Sequence, residues 1–210
     1  MGRIFITGIG TGIGKTIVSA IVTEALQADY WKPIQAGLQE DTDSQTMSRF
    51  ITNSVTKIHP EAFRLNMPAS PHAAAKAENK EIRIKDIRIP ATASNLVIEG
   101  AGGLMVPLND KELMIDFIKE TNAPVILVVK HYLGSINHTL LSVEALKQRK
   151  INVAGIIYNG EPNASSEEAI EAFTQSKILG RIEQEAVFSQ DVILKYAQKI
   201  KSSLLKEFMQ

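Results

Sequence analysis

Residues 7–16 form a segment with the composition of a phosphate-binding loop, Thr-Gly-Ile-Gly-Thr-Gly-Ile-Gly-Lys-Thr. The segment follows a short apolar run at residues 3–6 and precedes a pattern typical of a helix. Glycines allow the backbone to curl so that several N–H groups face one anion, and the positive end of the next helix adds to the attraction. Lys15 can reach the outer phosphates of a nucleoside triphosphate, and the Thr16 hydroxyl can bind Mg²⁺. The segment therefore predicts that the chain handles a nucleoside triphosphate.

The match to the strict phosphate-loop pattern is imperfect, because Ile9 stands where a glycine is usual. Gly8 and Gly10 flank that position, so we expect a turn that is longer by one residue. The rival dinucleotide fingerprint fits less well, since it would need a glycine at Ile13 or at Lys15. A glycine-rich turn that binds no ligand is the remaining alternative, and Gly-Lys-Thr directly after a strand disfavours it.

Glu99 stands at the end of another apolar run, and the residues after it, 100–103, read Gly-Ala-Gly-Gly. An acid at the end of a strand beside the phosphate loop is well placed to hold Mg²⁺, directly or through water. The glycines of the turn allow the backbone to approach a ligand closely. A glutamate that caps a helix in a tight turn is the alternative interpretation, and the phosphate loop favours the metal site.

Lys32 and a group of acids follow the second predicted strand. A lysine at that edge of the sheet could meet an anionic intermediate, but a solvated lysine before a strand-closing proline fits the spacing better. Glu40, Asp41 and Asp43 precede a helical pattern, where acids commonly act as caps. One of them could instead be the second carboxylate of a metal site, and sequence logic alone does not choose among the three.

Asn159 and residues 133–138 are two further candidates at strand ends. Asn159 could read a purine edge through its paired donor and acceptor, although a turn-forming asparagine before Gly160 is the alternative. Residues 133–138 read Leu-Gly-Ser-Ile-Asn-His and open a helix, where Ser135 fits the N-cap and free N–H groups could bind a carboxylate. The four histidines lack the spacing of a metal site: His59, His72, His131 and His138.

Strand-like and helix-like patterns alternate along the chain. The apolar runs lie at residues 3–7, 31–34, 95–98, 124–129, 153–158 and 177–181. The helical patterns lie at residues 15–28, 43–52, 114–121, 136–150, 165–175 and 191–208. Several of the runs are nearly continuous in Val, Ile and Leu, as buried parallel strands should be. We therefore predict an α/β fold with a doubly wound, mostly parallel sheet, helices on both faces and ligands at the carboxyl ends of the strands. Residues 60–93 are less regular and fit a long excursion beside the site.

Composition limits the functional classes. The chain has 210 residues, which suits one domain over residues 1–210. Its 23 basic and 23 acidic residues balance, so nothing indicates a nucleic-acid or anionic-membrane partner. The absence of cysteine excludes disulfides, iron–sulfur clusters, thiolate zinc sites and a cysteine nucleophile. No signal-peptide pattern and no membrane-length apolar run are evident, so a cytoplasmic location is expected.

In this order, the motifs resemble those of the dethiobiotin synthetase family over most of the chain. The phosphate loop shares Thr-Gly-x-x-Thr-x-x-Gly-Lys-Thr with that family. The other shared features are Lys-Pro-x-x-x-Gly at residues 32–37, Asp43, Ser-Pro-His at 70–72, Glu-Gly-Ala-Gly-Gly at 99–103, Leu-Gly-Ser-Ile-Asn-His at 133–138, and Asn159 with Pro162. The loop alone is common to many proteins, whereas this ordered combination is specific.

The resemblance implies a homodimeric ligase of biotin biosynthesis. Such an enzyme makes dethiobiotin from 7,8-diaminononanoate, carbon dioxide or bicarbonate, and MgATP. An amine adds to carbon dioxide, the resulting carbamate attacks the γ-phosphoryl group, and the second amine closes a cyclic urea and expels phosphate. Positioning and charge neutralisation dominate chemistry of this kind.

The resemblance also implies a role for each position of this chain that matches a family motif. Catalysis falls to Lys32, Lys15 and Thr11. Nucleotide contacts fall to Gly12, Ile13, Gly14, Lys15, Thr16, Ile17, Asp43, Glu99, Gly100, Ala101, Gly102 and Asn159. Thr16, Asp43 and Glu99 match the metal ligands. Substrate contacts fall to Thr11, Lys32, Ser70, Gly102, Leu133 and Asn137, and Asn137 is expected to serve the neighbouring subunit's site across the dimer interface.

Some positions depart from the family pattern. Gly10 and Gly12 replace acids that are common there, and Ala36 replaces a serine that contacts substrate. Residues 180–183 read Gly-Arg-Ile-Glu where the family has Gly-x-Ile-Pro beside the base, so ATP is expected and GTP stays open. The competing interpretation is a switch ATPase of the partitioning or metal-delivery type, but such proteins usually carry a second lysine where this chain has Gly10.

Overall fold

A computed structural model of the protein describes residues 2–39 and 41–208. The strands are β1 Arg3–Gly8, β2 Asp29–Trp31, β3 Ile34–Ala36, β4 Ile58–His59, β5 Phe63–Leu65, β6 Leu96–Glu99, β7 Val125–Val129, β8 Val153–Asn159 and β9 Ile178–Ile182. The helices are α1 Lys15–Leu26, α2 Asp43–Phe50, α3 Pro71–Ala77, α4 Met114–Thr121, α5 Ser135–Gln148, α6 Ala164–Thr174 and α7 Gln190–Phe208, with a short 3₁₀ turn at Ile84–Asp86. No helix within these residues is long and apolar enough to cross a membrane.

Seven of the described strands form one sheet in the order β4-β2-β6-β1-β7-β8-β9, and every pairing in it is parallel. The central position of β1 places the phosphate loop, which follows it, in the middle of the carboxyl edge of the sheet. Strands β2 and β6 are neighbours in the sheet, so the segments that follow them meet beside that loop. The predicted α/β fold with a parallel sheet is therefore confirmed.

Side chains alternate between the two faces of the sheet, and each face is covered by helices. Ile4 and Ile6 of β1 pack in the core cluster that contains residues of α1 and α7, such as Val18 and Tyr196. Phe5, between them, packs on the other face with residues of α4. This arrangement of helices on both faces is the one expected of strands buried on both sides.

Asp29 ties the edge of the sheet together at the start of β2. Its two carboxylate oxygens accept hydrogen bonds from Lys57 N at 2.9 Å and Thr92 Oγ1 at 2.7 Å, and Oδ2 lies 2.8 Å from His59 Nε2. Both Asp29 and His59 are buried. The hydrogen bonds from Thr92 and Lys57 outweigh burial and hold the pKa of Asp29 below its ordinary value.

The strand predicted at residues 31–34 is wrong as a single element. The chain instead leaves the large sheet after Trp31 and pairs in a separate two-stranded parallel sheet, β3 with β5, from Ile34. Pro33 lies at the junction, where it has no N–H to offer either sheet. The excursion predicted over residues 60–93 contains β5, α3 and the 3₁₀ turn.

Candidate active site

The phosphate loop runs from the end of β1 to the start of α1. Gly12 and Gly14 adopt positive φ values of 71° and 88°, a region that favours glycine. Ile9 does not need to be glycine, because its N–H continues the pairing of β1 by donating to Val128 O at 3.2 Å. The turn therefore begins after position 9, which explains why the chain departs from the strict pattern there.

Lys15 folds back across this loop. Its Nζ donates to Gly10 O at 2.8 Å, and the side chain is buried. Burial, followed by the positive charge of Lys32, lowers the pKa of Lys15 to about 8. The ammonium group thus lies where the outer phosphates of a nucleotide in the loop would reach it.

Two carboxylates converge on the hydroxyl of Thr16. Thr16 Oγ1 lies 2.7 Å from Asp43 Oδ1 and 3.0 Å from Glu99 Oε1. Of the three acids that the sequence left open, Asp41 instead pairs with Arg49 on the surface at 2.6 Å, and Glu40 lies outside the described residues. The structure thus brings Asp43 to the phosphate loop.

Lys32 joins the same cluster rather than pointing into solvent. Its Nζ lies 2.5 Å from Asp43 Oδ2 and 3.0 Å from Glu99 Oε1, and donates to Gly100 O at 3.3 Å. Burial alone would lower the pKa of Lys32, but the two carboxylates raise it above its ordinary value. Burial alone would likewise raise the pKa of Asp43, but the charge of Lys32 lowers it. The interpretation of Lys32 as a solvated lysine is therefore wrong, since its side chain is buried and paired with two carboxylates.

Local structure at the start of α2 fixes Asp43. Thr42 caps the helix in a capping box, in which its hydroxyl accepts from Gln45 N and the Gln45 side chain accepts from Thr42 N. Gln35 Oε1, from β3, accepts a hydrogen bond from Asp43 N at 3.2 Å. The small sheet and the helix cap thus position the carboxylate together.

Tyr30 is a buried member of the cluster that sequence reasoning missed. Its hydroxyl donates to Glu99 Oε2 at 2.8 Å. Burial and the negative charge of Glu99 raise the pKa of Tyr30 well above its ordinary value, so the phenol stays protonated as a donor. The available signal was spacing, since Tyr30 precedes Lys32 by two positions and therefore projects to the same side of the chain.

One cavity of about 810 Å³ contains most of the predicted site. Its lining includes Thr11, Gly12, Gly14, Lys15, Thr16, Ile17, Lys32, Asp43, Ser70, Glu99, Ala101 and Gly102. Ser70 precedes α3, and its hydroxyl lies 3.1 Å from His72 Nδ1. The two lysines, two carboxylates and the loop thus face a common space at the carboxyl edge of the sheet.

Ile13, Gly100 and Asn159 contribute from behind this lining. Asn159 Nδ2 donates to Ile13 O at 2.8 Å and so braces the backbone of the phosphate loop. Gly100 presents its carbonyl to Lys32. In this geometry the amide nitrogen of Asn159 is bonded to the loop.

Leu133 and Asn137 lie at a different place on the chain, around the start of α5. They line a second cavity of about 750 Å³. Leu133 is fully exposed, and Asn137 is exposed as well. The structure therefore does not bring these two residues to the phosphate-loop cavity of the same chain.

An exposed apolar surface connects α5 to the phosphate loop. Met105 and Leu141 are 56% and 59% exposed, and together with Thr11 they line a smaller cavity of about 320 Å³. Thr11 also lines the large cavity, so the two cavities adjoin at this residue. Clustered apolar side chains of this kind mark interaction surfaces more often than scattered ones do.

The oxygen donors of the cluster suit a hard divalent cation. Mg²⁺ prefers a few protein oxygens together with phosphate and water, and Thr16 Oγ1, Asp43 and Glu99 supply such oxygens beside the phosphate loop. Within the part of the chain that the structure describes, no group of three His, Asp or Glu side chains forms an all-protein metal cage. The donor set thus fits a cation shared with a nucleotide.

A glycine-rich loop after a central parallel strand, ending in Lys-Thr and flanked by carboxylates, defines a P-loop nucleotide-binding protein. The family model described as an AAA domain matches residues 2–191. ATP-dependent dethiobiotin synthetases from Christiangramia forsetii and Cytophaga hutchinsonii are 53% and 50% identical to the chain, covering 95% of it and 96% and 97% of their own lengths. The chain belongs to the ATP-dependent dethiobiotin synthetase family, as the ordered motifs predicted.

Solved structures with similar folds are more distant in sequence. A ParA family ATPase from Chlorobium tepidum is 15% identical, with a TM-score of 0.57 over 98% of this chain and 92% of that chain. The septum site-determining protein MinD from Pyrococcus horikoshii, complexed with Mg-ADP, is 18% identical, with a TM-score of 0.58 over 97% and 91%. These likenesses show the shared fold alone. The switch-ATPase alternative is not favoured, because the relatives at 50% identity or more are named dethiobiotin synthetases.

Proposed function

We propose that the chain catalyses the ATP-dependent carboxylation and ring closure of 7,8-diaminononanoate to dethiobiotin in biotin biosynthesis, and that residues 1–210 act as one cytoplasmic P-loop synthetase domain. The observation that carries this proposal is the convergence of two buried lysines, two carboxylates and the phosphate loop on one cavity. The relatives named ATP-dependent dethiobiotin synthetase support the choice of substrate and product.

The reaction needs two amines, carbon dioxide and one phosphoryl transfer. One amine adds to carbon dioxide and loses a proton, giving a carbamate anion. A carbamate oxygen attacks the γ-phosphorus, the bond to the β-phosphate oxygen breaks, and ADP leaves. The second amine then attacks the carbonyl carbon of the mixed anhydride, phosphate leaves with the C–O electron pair, and loss of a proton completes the cyclic urea.

Charge neutralisation is the main task of the protein in this sequence. Lys32 is the proposed partner of the carbamate anion. Its ammonium lies at the cavity wall, where it pairs with Asp43 and Glu99 and would turn toward the new anion. Lys15 and the loop N–H groups hold the β- and γ-phosphates, with Gly12, Gly14 and Ile17 around them. Fixed donors aimed at developing charge in a desolvated site are the largest source of rate enhancement in many enzymes.

Mg²⁺ would be held by Thr16, Asp43 and Glu99 together with the nucleotide. When bound, it would neutralise charge on the phosphate oxygens. Asp43 and Glu99 keep their carboxylates oriented through the helix cap of α2 and the hydroxyl of Tyr30. Ala101 and Gly102, in the turn after Glu99, leave room for the nucleotide and the diamine at the cavity wall.

The substrate site is proposed to be completed by a second copy of the chain in a homodimer. Thr11, Ser70 and Gly102 lie in the large cavity, whereas Leu133 and Asn137 lie outside it on the exposed start of α5. A partner chain could present those two residues to the cavity, where the free N–H groups at the start of α5 would meet the substrate carboxylate. The apolar surface around Met105 and Leu141 supports this arrangement.

The nucleotide base is proposed to lie on the far side of the loop, near Asn159. The amide nitrogen of Asn159 already donates a hydrogen bond to Ile13 O, so contacts with the base would use the amide oxygen of Asn159 or atoms of nearby residues. ATP is the expected co-substrate because the relatives are named as ATP-dependent enzymes. GTP carries the same ribose and phosphates as ATP. A comparison of turnover with the two nucleotides therefore tests the contacts with the base alone.

The decisive assay mixes the purified protein with Mg²⁺, a nucleoside triphosphate, bicarbonate and 7,8-diaminononanoate, and follows phosphate and dethiobiotin. The expected result is phosphate release that requires the diamine, with equal amounts of dethiobiotin formed. A parallel reaction without the diamine is the control, and GTP replaces ATP in a third. Phosphate release that ignores the diamine would overturn the proposal and favour a switch ATPase.

A further inference from the structure

Tyr30 lies in the core behind the active site, and no proposed chemical step uses it. It is fully buried in β2, and its hydroxyl donates to Glu99 Oε2 at 2.8 Å. The other carboxylate oxygen of Glu99, Oε1, lies 3.0 Å from Thr16 Oγ1 and 3.0 Å from Lys32 Nζ. The two oxygens of Glu99 therefore have separate partners, one in the core and one in the cavity.

The register of the sheet makes this contact a fixed one. In the parallel pairing of β2 with β6, Tyr30 lies opposite Val97. Side chains two positions apart in a strand share a face, so Glu99 projects from the same face as Val97 and Tyr30. Tyr30 and Val97 belong to the same core cluster. The phenol ring is thus held by packing, and its hydroxyl meets Glu99 from a rigid element.

We propose that Tyr30 is a positioning residue for the metal site, whose hydroxyl fixes the Glu99 carboxylate so that Oε1 faces Thr16 and the cation. A carboxylate that is free to rotate about its last bond would lose conformational freedom when a cation binds, and a bonded one has already lost it. Partners behind a metal ligand typically change metal affinity by about 10- to 100-fold when removed. This role depends on the proposed function, because it needs Glu99 to serve the metal.

The test is Tyr30→Phe, which keeps the ring and removes only the hydroxyl. Binding of a non-hydrolysable ATP analogue is measured by calorimetry with and without Mg²⁺. The dissociation constant without Mg²⁺ divided by that with Mg²⁺ reports metal coupling, and a larger ratio means stronger coupling. We expect Tyr30→Phe to reduce this ratio about tenfold, the low end of the range because Thr16 and Lys32 also hold Glu99. Affinity without Mg²⁺ should stay near that of the unmodified protein.

Tyr196→Phe is the matched control. Tyr196 is also a fully buried tyrosine, and its hydroxyl donates to Glu185 Oε1 at 2.7 Å. Neither Tyr196 nor Glu185 lines the large cavity. The control variant therefore loses the same kind of bond in another part of the fold, together with the hydrogen bond that its hydroxyl accepts from Glu183 N at 3.2 Å. Its metal coupling should be unchanged. A purely structural role for Tyr30 would leave the coupling ratio of Tyr30→Phe unchanged too, which would overturn the inference.

Glu99→Gln separates failure of this inference from failure of the proposed metal site. If Glu99→Gln leaves coupling intact, the assignment of Glu99 as a metal ligand is wrong and the role of Tyr30 falls with it. If Glu99→Gln reduces coupling but Tyr30→Phe does not, only the inference fails. If Tyr30 acts through Glu99, adding Tyr30→Phe to Glu99→Gln should reduce coupling no further, and independent, additive losses would contradict it.

Discussion

Replacing Lys32 by alanine tests the centre of the proposed mechanism. The substitution removes an ammonium that lies 2.5 Å from Asp43 Oδ2 and 3.0 Å from Glu99 Oε1. It leaves Lys15, the phosphate-loop backbone and the Thr16 hydroxyl in place. We therefore expect the carbamate to lose its principal cation while the binding groups for the nucleotide phosphates are retained.

The expected size of the effect follows from the two roles of the ammonium. Losing one preorganised group that stabilises developing charge typically lowers kcat by about 10²- to 10³-fold, or about 2.7–4 kcal/mol. Breaking a buried ion pair also destabilises the fold by about 3–5 kcal/mol, and the whole range applies because the Glu99 side chain is only 1% exposed while that of Asp43 is 27% exposed. ADP affinity should change far less than kcat, because Lys15 and the loop backbone, which face the phosphates, are retained.

Three measurements check this prediction. Diamine-dependent phosphate release gives kcat, calorimetry gives the dissociation constant of ADP, and urea unfolding gives the free energy of unfolding. Lys80→Ala is the matched control, because Lys80 pairs with Glu78 at 2.7 Å on the surface, where such pairs contribute little. Equal losses in kcat and in ADP affinity would refute the reasoning, because they would mean that Lys32 serves the nucleotide.

Three other substitutions test the loop, the dimer and the sheet edge. Gly14→Ala should weaken nucleotide binding and lower the free energy of unfolding by about 1–3 kcal/mol, because φ is 88° and a Cβ would lie 2.1 Å from the Asn159 side chain. Gly10→Ala is the control: a Cβ there has open space, so this variant should unfold in urea like the unmodified protein. Leu141→Asp should shift a dimer toward monomer in light scattering. Phe173→Asp, at an apolar position on α6 that is more exposed still, should not. Asp29→Asn should be less stable than the unmodified protein at neutral pH. Because folding depresses the pKa of Asp29, the stabilisation from its carboxylate is present above the ordinary value of 3.8 and is lost as pH falls through the folded value. The difference in free energy of unfolding between the two proteins, measured in urea, should therefore shrink at lower pH. A difference that grows in acid would contradict that sign.

Much of the fold was predictable because its strands are buried on both faces. A continuous run of Val, Ile and Leu such as that of β7 predicts a buried parallel strand without any tertiary information. The segment around Pro33 was not predictable in the same way. Its apolar residues on both sides of Lys32 look like one strand, and only pairing with β5 draws the second half into another sheet.

The site residues were predictable where a reactive side chain follows a predicted strand or stands in the phosphate-loop pattern. Lys15, Thr16 and Glu99 follow directly from strand ends and the loop pattern. Asp43 could not be separated from its acidic neighbours, since each of them fits a helix cap locally. Tyr30 was missed because a tyrosine in a buried strand looks like core packing, and its partner Glu99 lies 69 positions away in the chain.

The ion-paired cluster also affects how the protein folds before any ligand arrives. Lys15 and Lys32 carry two positive charges and Asp43 and Glu99 two negative ones, so the formal charges of these four side chains cancel inside the cavity. Many metal sites depend on their cation to offset repulsion between carboxylates, and such domains unfold when the metal is removed. Here the two lysines act as internal counterions, so chelation should abolish turnover without unfolding the chain.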